Sequence, residues 1–385
     1  TSLSALWILI ANGWMQHPVG AEFNYETLRM EMTSFADIFF NPVAQVKFVH
    51  TVAAGYVTGS MFVLGISSWY LLNGRDIGFA RRSFSIASAF GLASILSVIV
   101  LGDESGYTSG EVQKVKLAAI EAEWETEEAP ASFTLVGLPN QETERTDYAV
   151  KFPWLLGLIA TRSIDEPVKG LKELRADNVK RIRRGMLAYD ELQKLRTGDK
   201  SPETRQAFDA YKEDLGYGLL LKKYTSKVVD ADEGMIEKAA NDSLPKVAPL
   251  FWTFRVMVAS GFTMLFIFGM AFYYCATRIA DQKRWLMRMA VWAIPLPWIA
   301  AETGWFVAEY GRQPWTISGI LPTHMSVSNL TGGQLWFSLA GFLIFYTVLL
   351  VIELYLMIKY VKLGPSSLHT GRYCHETKGV PSHAT

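Results

Sequence analysis

The sequence predicts an all-α fold, a polytopic transmembrane helix bundle of six spans with a large external soluble loop. Three observations predict it. Uncharged apolar runs occupy residues 48–72, 83–102, 256–277 and 335–352, each long enough as a helix to cross a hydrocarbon core of about 30 Å. Most of the charge falls in one block, 103–246. Lysine and arginine concentrate in alternate turns, the pattern of a chain threaded repeatedly through a bilayer. The zero net charge and 50% apolar content therefore average two different materials.

Residues 1–20 form a further apolar run, in which Asn12, Gln16 and His17 add polar groups towards one end. The stretch Gly-Trp-Met-Gln-His-Pro-Val-Gly at 13–20 reads as a helix stop, which leaves His17 in an external loop. Residues 289–308 form another run, interrupted only by Glu302. Pro295 and Pro297 lie within it and remove helix hydrogen bonds, predicting a kink. The expected organisation is spans one to three in 1–102, an external loop in 103–248, spans four to six in 249–361 and a cytoplasmic tail in 362–385. The chain opens on Thr1 inside an apolar run, which points to further residues upstream. No internal repeat is evident. Cys275 and Cys374 lie far apart in sequence, and neither belongs to a haem-attachment motif or a disulfide framework.

The turn after the run 48–72 carries Arg75, Arg81 and Arg82 against Asp76. The turn at 278–288 carries four basic residues against Asp281, and the tail adds Lys359, Lys362 and Arg372. The opposite segment at 22–47 holds Glu22, Glu26, Glu31 and Asp37 against Arg29 and Lys47. The basic turns mark the cytoplasmic side, so the 103–248 loop and the segment after residue 309 are expected outside. Within the loop, Val179, Ile182, Met186 and Tyr189 recur at helical spacing, with Lys180, Arg181, Arg183 and Arg184 on the opposite face. This is a solvated amphipathic helix rather than a nucleic-acid surface. The short apolar run 152–160 either touches the membrane surface or fills a small core.

The stretch 304–315, Gly-Trp-Phe-Val-Ala-Glu-Tyr-Gly-Arg-Gln-Pro-Trp, carries the most chemistry. Glu302, Trp305, Glu309 and Arg312 share one helix face by their spacing. Ionisable groups in a span are costly and usually line a functional interior. His50 and Met257 begin two other spans near the outer face, so an imidazole, a thioether and a carboxylate reach one depth. His and Met suit a six-coordinate haem, and a carboxylate can hold a second iron. The plainer readings are an interfacial His50, a Met257 that fills packing, an Arg312 that merely neutralises Glu309, and a Trp305 in the interfacial aromatic belt. Arg255 is open to the same two readings as Arg312, ion pair or anion clamp. At the start of the loop, Lys116 and Glu121 lie on an expected surface helix. Carboxylates there would suit a site that takes protons from a hydroquinone. Asp103 and Glu104, closing the third span, share that ambiguity.

These segments together resemble subunit I of the cytochrome bd quinol oxidases. The matching stretches are 13–20, 45–51 (Gln-Val-Lys-Phe-Val-His-Thr), 102–107 (Gly-Asp-Glu-Ser-Gly-Tyr), 116–126, 254–258, 304–315 with its Gly-Arg-Gln-Pro-Trp element, and 364–373. The resemblance implies that His50 and Met257 are axial ligands of a low-spin haem b with Arg255 beside it. It implies that Glu309 ligates a high-spin haem b, that Trp305 and Arg312 neighbour the high-spin pair, and that Asn12 lies near haem d. Lys116 and Glu121 match loop residues of quinol oxidation. Implied partners are subunit II, a small single-span subunit, ubiquinol or menaquinol, dioxygen and membrane lipid. The family's first spans, with their haem-ligating histidine, have no counterpart here, and His17 does not substitute for it. The expected function is quinol oxidation at the external face of the bacterial cytoplasmic membrane, with electrons passed to dioxygen. The rival is a haem-free ion or proton transporter, or an assembly subunit, that uses Glu302 and Glu309.

Overall fold

A computed structural model describes residues 2–163 and 165–365. Arg372, Cys374 and most of the expected tail lie outside the described residues. The helices are α1 (Ser2–Gln16), α2 (Phe35–Phe39), α3 (Pro42–Leu72), α4 (Ile77–Val112), α5 (Lys114–Glu121), α6 (Leu155–Ala160), α7 (Leu171–Thr197), α8 (Pro202–Tyr211), α9 (Leu215–Leu219), α10 (Glu233–Asp242), α11 (Val247–Ala276), α12 (Arg284–Trp292), α13 (Leu296–Tyr310) and α14 (Gly332–Leu363). Three two-stranded antiparallel hairpins qualify the all-α expectation. They are β1–β2 (Ala21–Asn24 with Arg29–Met32), β3–β4 (Phe133–Asn140 with Arg145–Phe152) and β5–β6 (Trp315–Ile317 with Leu321–Pro322). All three lie in the connections between apolar runs. The β3–β4 turn is built by Asn140, whose side-chain oxygen accepts from the backbone N–H of Glu142 and Thr143 at 2.9 and 3.2 Å, a local bond that competes with helix.

Among the described residues, four helical stretches are long and apolar enough to cross a membrane: Phe35–Leu72, Ile77–Val112, Glu233–Ala276 and Gly332–Leu363. The other two expected spans take a different form. α1 has only 15 residues. The run 289–308 divides into α12 and α13 with residues 293–295 between them, because Pro295 and Pro297 supply no N–H to carry the helical ladder through. The predicted kink is thus a break. α4 continues past Gly102 to Val112, so Asp103 and Glu104 sit inside a helix rather than closing it. Glu104 pairs there with Arg162, whose guanidinium lies 4.2 Å over the Tyr107 ring.

Helix starts follow local chemistry. Asn41 precedes α3 and accepts from Val43 and Ala44 N–H at 3.0 and 3.4 Å, with Pro42 at the first helical position, where its missing N–H costs nothing. Thr331 and Gln334 form a capping box at the head of α14.

The chain forms two compact units, each discontinuous in sequence. The first comprises Thr1–Ala54, Ser97–Gly261 and Trp298–Val327. Its loop portion packs α7 against α9 and α10 through Ile182, Tyr217, Leu221, Ile236 and Trp315, as the 3.6-residue apolar period of α7 requires. The 152–160 run fills a small core: Leu156 and Ala160 join Leu117, Ala131 and Val168, while Phe152, Trp154 and Leu158 are exposed. The second unit comprises Gly55–Leu96, Phe262–Pro297 and Ser328–Thr385. In it the basic turns meet: Arg81 pairs with Asp281 at 2.6 Å, and Arg75 donates to the Lys362 carbonyl at 2.9 Å.

In the first unit, α1 crosses α3 at Gly13, where a Cβ would stand 2.6 Å from Ala44 Cβ and 2.7 Å from its Cα. The Ala44 Cα is helix backbone and its Cβ is fixed to it, so neither can yield and only glycine allows the approach. Overpacking of this kind costs about 1–3 kcal/mol or more. Gly13→Val is therefore expected to lower the thermal midpoint of the purified protein by several degrees. An unchanged midpoint would show that this crossing tolerates a side chain.

Candidate functional site

The crossing of α1 on α3 places Asn12 and Gln16, four apart on α1, beside Lys47 of α3 and Lys116 of α5. Lys116 is buried, and its Nζ donates to Gln16 Oε1 and Gln113 Oε1, both at 2.6 Å. Gln16 Nε2 donates to Asn12 Oδ1 at 3.0 Å, and Lys47 Nζ donates to the same oxygen at 3.2 Å. Asn12 Nδ2 in turn donates to Glu309 Oε1 at 2.7 Å, and Arg312 Nη2 donates to Glu309 Oε2 at 2.5 Å. An unbroken hydrogen-bonded chain therefore runs from Lys116 through Gln16 and Asn12 to Glu309. Three cations share one carboxylate. Burial first, then the nearby Lys47 and Arg312 charges, push the Lys116 ammonium well below the ordinary lysine value, with Glu309 opposing them.

Glu121 closes the same short helix but belongs to a second cluster. It is 3% exposed, and Arg255 Nη2 donates to its Oε2 at 2.7 Å. The guanidinium also donates to the Ile120 and Thr134 carbonyls, each at 2.5 Å, and lies 3.6 Å over the Phe251 ring. Burial pushes the Glu121 carboxyl up to about 7, with the Arg255 charge and hydrogen bond restraining it. The positive φ of Ala122 (55°) then turns the chain and leads into Glu123, which is likewise buried.

His50 and Met257 stand on α3 and α11. His50 Nδ1 is buried and makes no hydrogen bond of normal geometry, with the Val98 backbone as its electrostatic neighbour. Met257 Sδ faces α13 at Gly304, where a Cβ would approach it to 2.9 Å. Arg312 Nε and Nη1 are also buried without partners. An unpartnered imidazole nitrogen, a thioether against a glycine and spare guanidinium donors beside a held carboxylate fit haem iron and its acidic side groups. Among the described residues no three His, Cys, Asp or Glu side chains group as a cage for a bare ion. Axial ligation of a macrocycle uses one or two donors and needs no such cage.

The structure brings some expected site residues together and separates others. Asn12, Glu309, Arg312 and Lys116 join one network, and Arg255 joins Glu121. Lys116 and Glu121, expected on one surface helix, make no hydrogen bond to each other. The helix that carries them is not a surface helix: Ala118, Ala119 and Ile120 pack with Trp124, Leu250, Phe251 and Val307, so both charges are enclosed. Charge spacing suggested exposure, and tertiary packing decided against it. Glu302 and Trp305 are exposed, and neither is hydrogen-bonded to Glu309, which gives the transporter reading no paired carboxylates. Arg312 lies beyond the end of α13 yet reaches Glu309. Sequence reasoning assigned no site role to Lys47, Gln16, Gln113 or Glu123. The signals were a lone lysine heading an apolar span and an Asn-x-x-x-Gln pair on α1.

Comparison with known proteins follows these lines. A family model described as cytochrome bd terminal oxidase subunit I matches residues 1–365. Cytochrome bd-II ubiquinol oxidase subunit 1 of Escherichia coli is 51% identical over 370 residues, covering 96% of this chain and 72% of that protein. Cytochrome bd ubiquinol oxidase subunit 1 of Bacillus subtilis is 29% identical over 365 residues, covering 94% of this chain and 66% of that protein. The bd oxidase structure from Geobacillus thermodenitrificans superposes with a TM-score of 0.64 at 23% identity, over 94% of this chain and 68% of that one. The chain thus spans about two thirds to three quarters of the length of these relatives.

Removing one partner of a buried ion pair strands the other, at a cost of about 3–5 kcal/mol, whereas replacing both by apolar residues is often neutral. Arg255→Leu is expected to destabilise the protein by that amount, and the double variant with Glu121→Leu to recover most of it. Thermal or denaturant unfolding of the three variants measures this. Additive losses would show that the two residues act independently.

Proposed function

The chain belongs to the cytochrome bd terminal oxidase subunit I family, and from that premise we propose that it is the haem-bearing subunit of a membrane quinol oxidase that delivers electrons to dioxygen. The observation that carries the reading is the linkage of the two expected centres. Lys116, matched to quinol oxidation, is hydrogen-bonded through Gln16 and Asn12 to Glu309, matched to a haem ligand. His50 and Met257 would hold a low-spin haem b and Glu309 a high-spin haem b, with haem d as the third group. These groups, when bound, supply one-electron transfer and oxygen reduction.

The chain's own residues perform the rest. Asn12 and Arg312 fix the Glu309 carboxylate from both sides, so its orientation is set before any ligand arrives. Lys116 presents an N–H donor from an enclosed site and can orient a quinol oxygen. Glu121, with a carboxyl value near neutrality, is suited to accept a proton from a quinol hydroxyl. Arg255 keeps its two backbone carbonyls when Glu121 is protonated, so the clamp survives the transfer.

In this reading α1 and the broken α12–α13 pair lie in the bilayer beside the four long helices, giving six spans. The 103–248 loop faces outwards and the basic turns face the cytoplasm of a bacterium. Protons leave quinol outside and are consumed from inside, which separates charge without a pump. Subunit II and a small single-span subunit complete the complex. The substrate is ubiquinol or menaquinol.

A pyridine haemochrome assay on the purified complex is expected to show b-type haem, and its absence would defeat the proposal. His50→Ala is expected to abolish the low-spin α-band in the reduced spectrum, with the helical circular dichroism preserved. Glu121 must be ionised to accept a proton, so turnover is expected to fall as pH drops through about 7 and to level off above it. Glu121→Gln is expected to lower quinol turnover by about a hundredfold, within the usual range for general-base loss, and to remove that acidic limb.

A further inference from the structure

Glu123 has no place in the chemistry above, yet it is a buried carboxyl with an orphaned oxygen. It is 4% exposed, and its Oε1 has no partner. Its Oε2 lies 3.9 Å from Lys151 Nζ on β4. That ammonium lies 3.1 Å from Glu127 Oε2, and the other Glu127 oxygen accepts from the Ser132 hydroxyl. The side chains grade outwards, from 3% exposed at Glu121 to 6% at Glu123, 23% at Glu127 and 43% at Lys151. Isolated acidic residues in a soluble loop ordinarily point into water. Here three of them step from a buried arginine clamp to the surface.

We propose that Glu123 and Glu127 form a proton-release relay that carries each proton taken by Glu121 from quinol to the aqueous face of the loop. The proposal rests on quinol oxidation at Glu121. The quinol O–H bond breaks as its proton joins the Glu121 carboxylate. Glu121 passes a proton to Glu123 across a bridging water, and Glu123 passes one to Glu127 and bulk solvent. Each carboxyl ends in its starting state. Electrons follow the separate route to the oxidase's haem acceptors, so the relay handles protons alone. The charged groups facing Glu123 are Lys151 from β4, Glu127 from the following segment, Glu121 across the turn at Ala122 and Arg255 from α11.

Burial above all holds Glu123 up to about 8, with Lys151 opposing and Glu127 and Glu121 reinforcing, against about 7 for Glu121. Each group therefore exchanges protons near neutral pH. Lys151 stands between Glu123 and Glu127 and offsets their mutual repulsion. No catalytic role for Lys151 itself is needed.

The test uses the assembled membrane oxidase, with steady-state quinol oxidation and reduced-minus-oxidised haem spectra measured on the same samples. Glu123→Gln is expected to lower kcat tenfold or more, with KM for quinol within twofold and the haem spectrum unchanged, and Glu123→Asp to restore part of the rate. Glu127→Gln is expected to lose several-fold in weak buffer and to regain it as imidazole is added, a rescue that a structural role would not produce. Wild-type kcat in Glu123→Gln with full haem content would overturn the relay. If Glu123→Gln fails to assemble, Glu127→Gln decides: a wild-type rate in weak buffer overturns the proposal, and imidazole rescue supports it. Unimpaired turnover in Glu121→Gln would instead remove the quinol reading beneath it, whereas loss there with normal Glu123→Gln sinks the relay alone.

Discussion

The first unit depends on keeping Lys116 and Glu121 charged or chargeable inside a low-dielectric interior. A buried ion is tolerated only when hydrogen bonds and opposite charges replace its lost water. Helix α5 is short, apolar through Leu117–Ile120 and enclosed, so each of its two ionisable ends must recruit partners from other helices. Lys116 recruits Gln16 from α1 and Gln113 at the foot of the helix. Glu121 recruits Arg255 from α11. The requirement to satisfy two charges thus ties α1, α5 and α11 together around the site.

The same logic explains why the two ends differ in chemistry. Lys116 sits among cations, and Glu309 alone balances Lys47, Lys116 and Arg312, so that region carries surplus positive charge and spare guanidinium donors. Such a region favours anionic groups. The Glu121 end is different. A carboxyl is held near neutrality by burial, beside a guanidinium that has backbone carbonyls to fall back on. One end gathers hydrogen-bond donors and the other holds a carboxyl near neutrality, and only Leu117–Ile120 separate Lys116 from Glu121.

The break between α12 and α13 has a related consequence. Pro295 and Pro297 prevent one long rod, and α13 then delivers Glu309 at its end rather than in mid-helix. The chain leaves α13 through Gly311, which lets Arg312 fold back on Glu309 at 2.5 Å.

Much of this was legible beforehand because membrane burial writes itself into composition. The four long apolar helices, the helix break at the two prolines and the amphipathic α7 all follow from local hydrophobicity and backbone chemistry, as does the pairing of Glu309 with Arg312 three residues on. The short resembling stretches pointed to the family that the comparisons then established. What local pattern could not contain is which distant groups meet. By sequence, Lys116 and Glu121 lay together on an expected surface helix. Only the packing of α5 under Trp124, Leu250 and Phe251 encloses both and sends each to a different partner, 100 and 134 positions away in sequence. The sequence by itself determined the helices, their breaks and the chemical types of the site residues, because those depend on neighbours within a few positions. The tertiary structure alone decided which charges are buried and what satisfies them, because desolvation and pairing are set by distance in space.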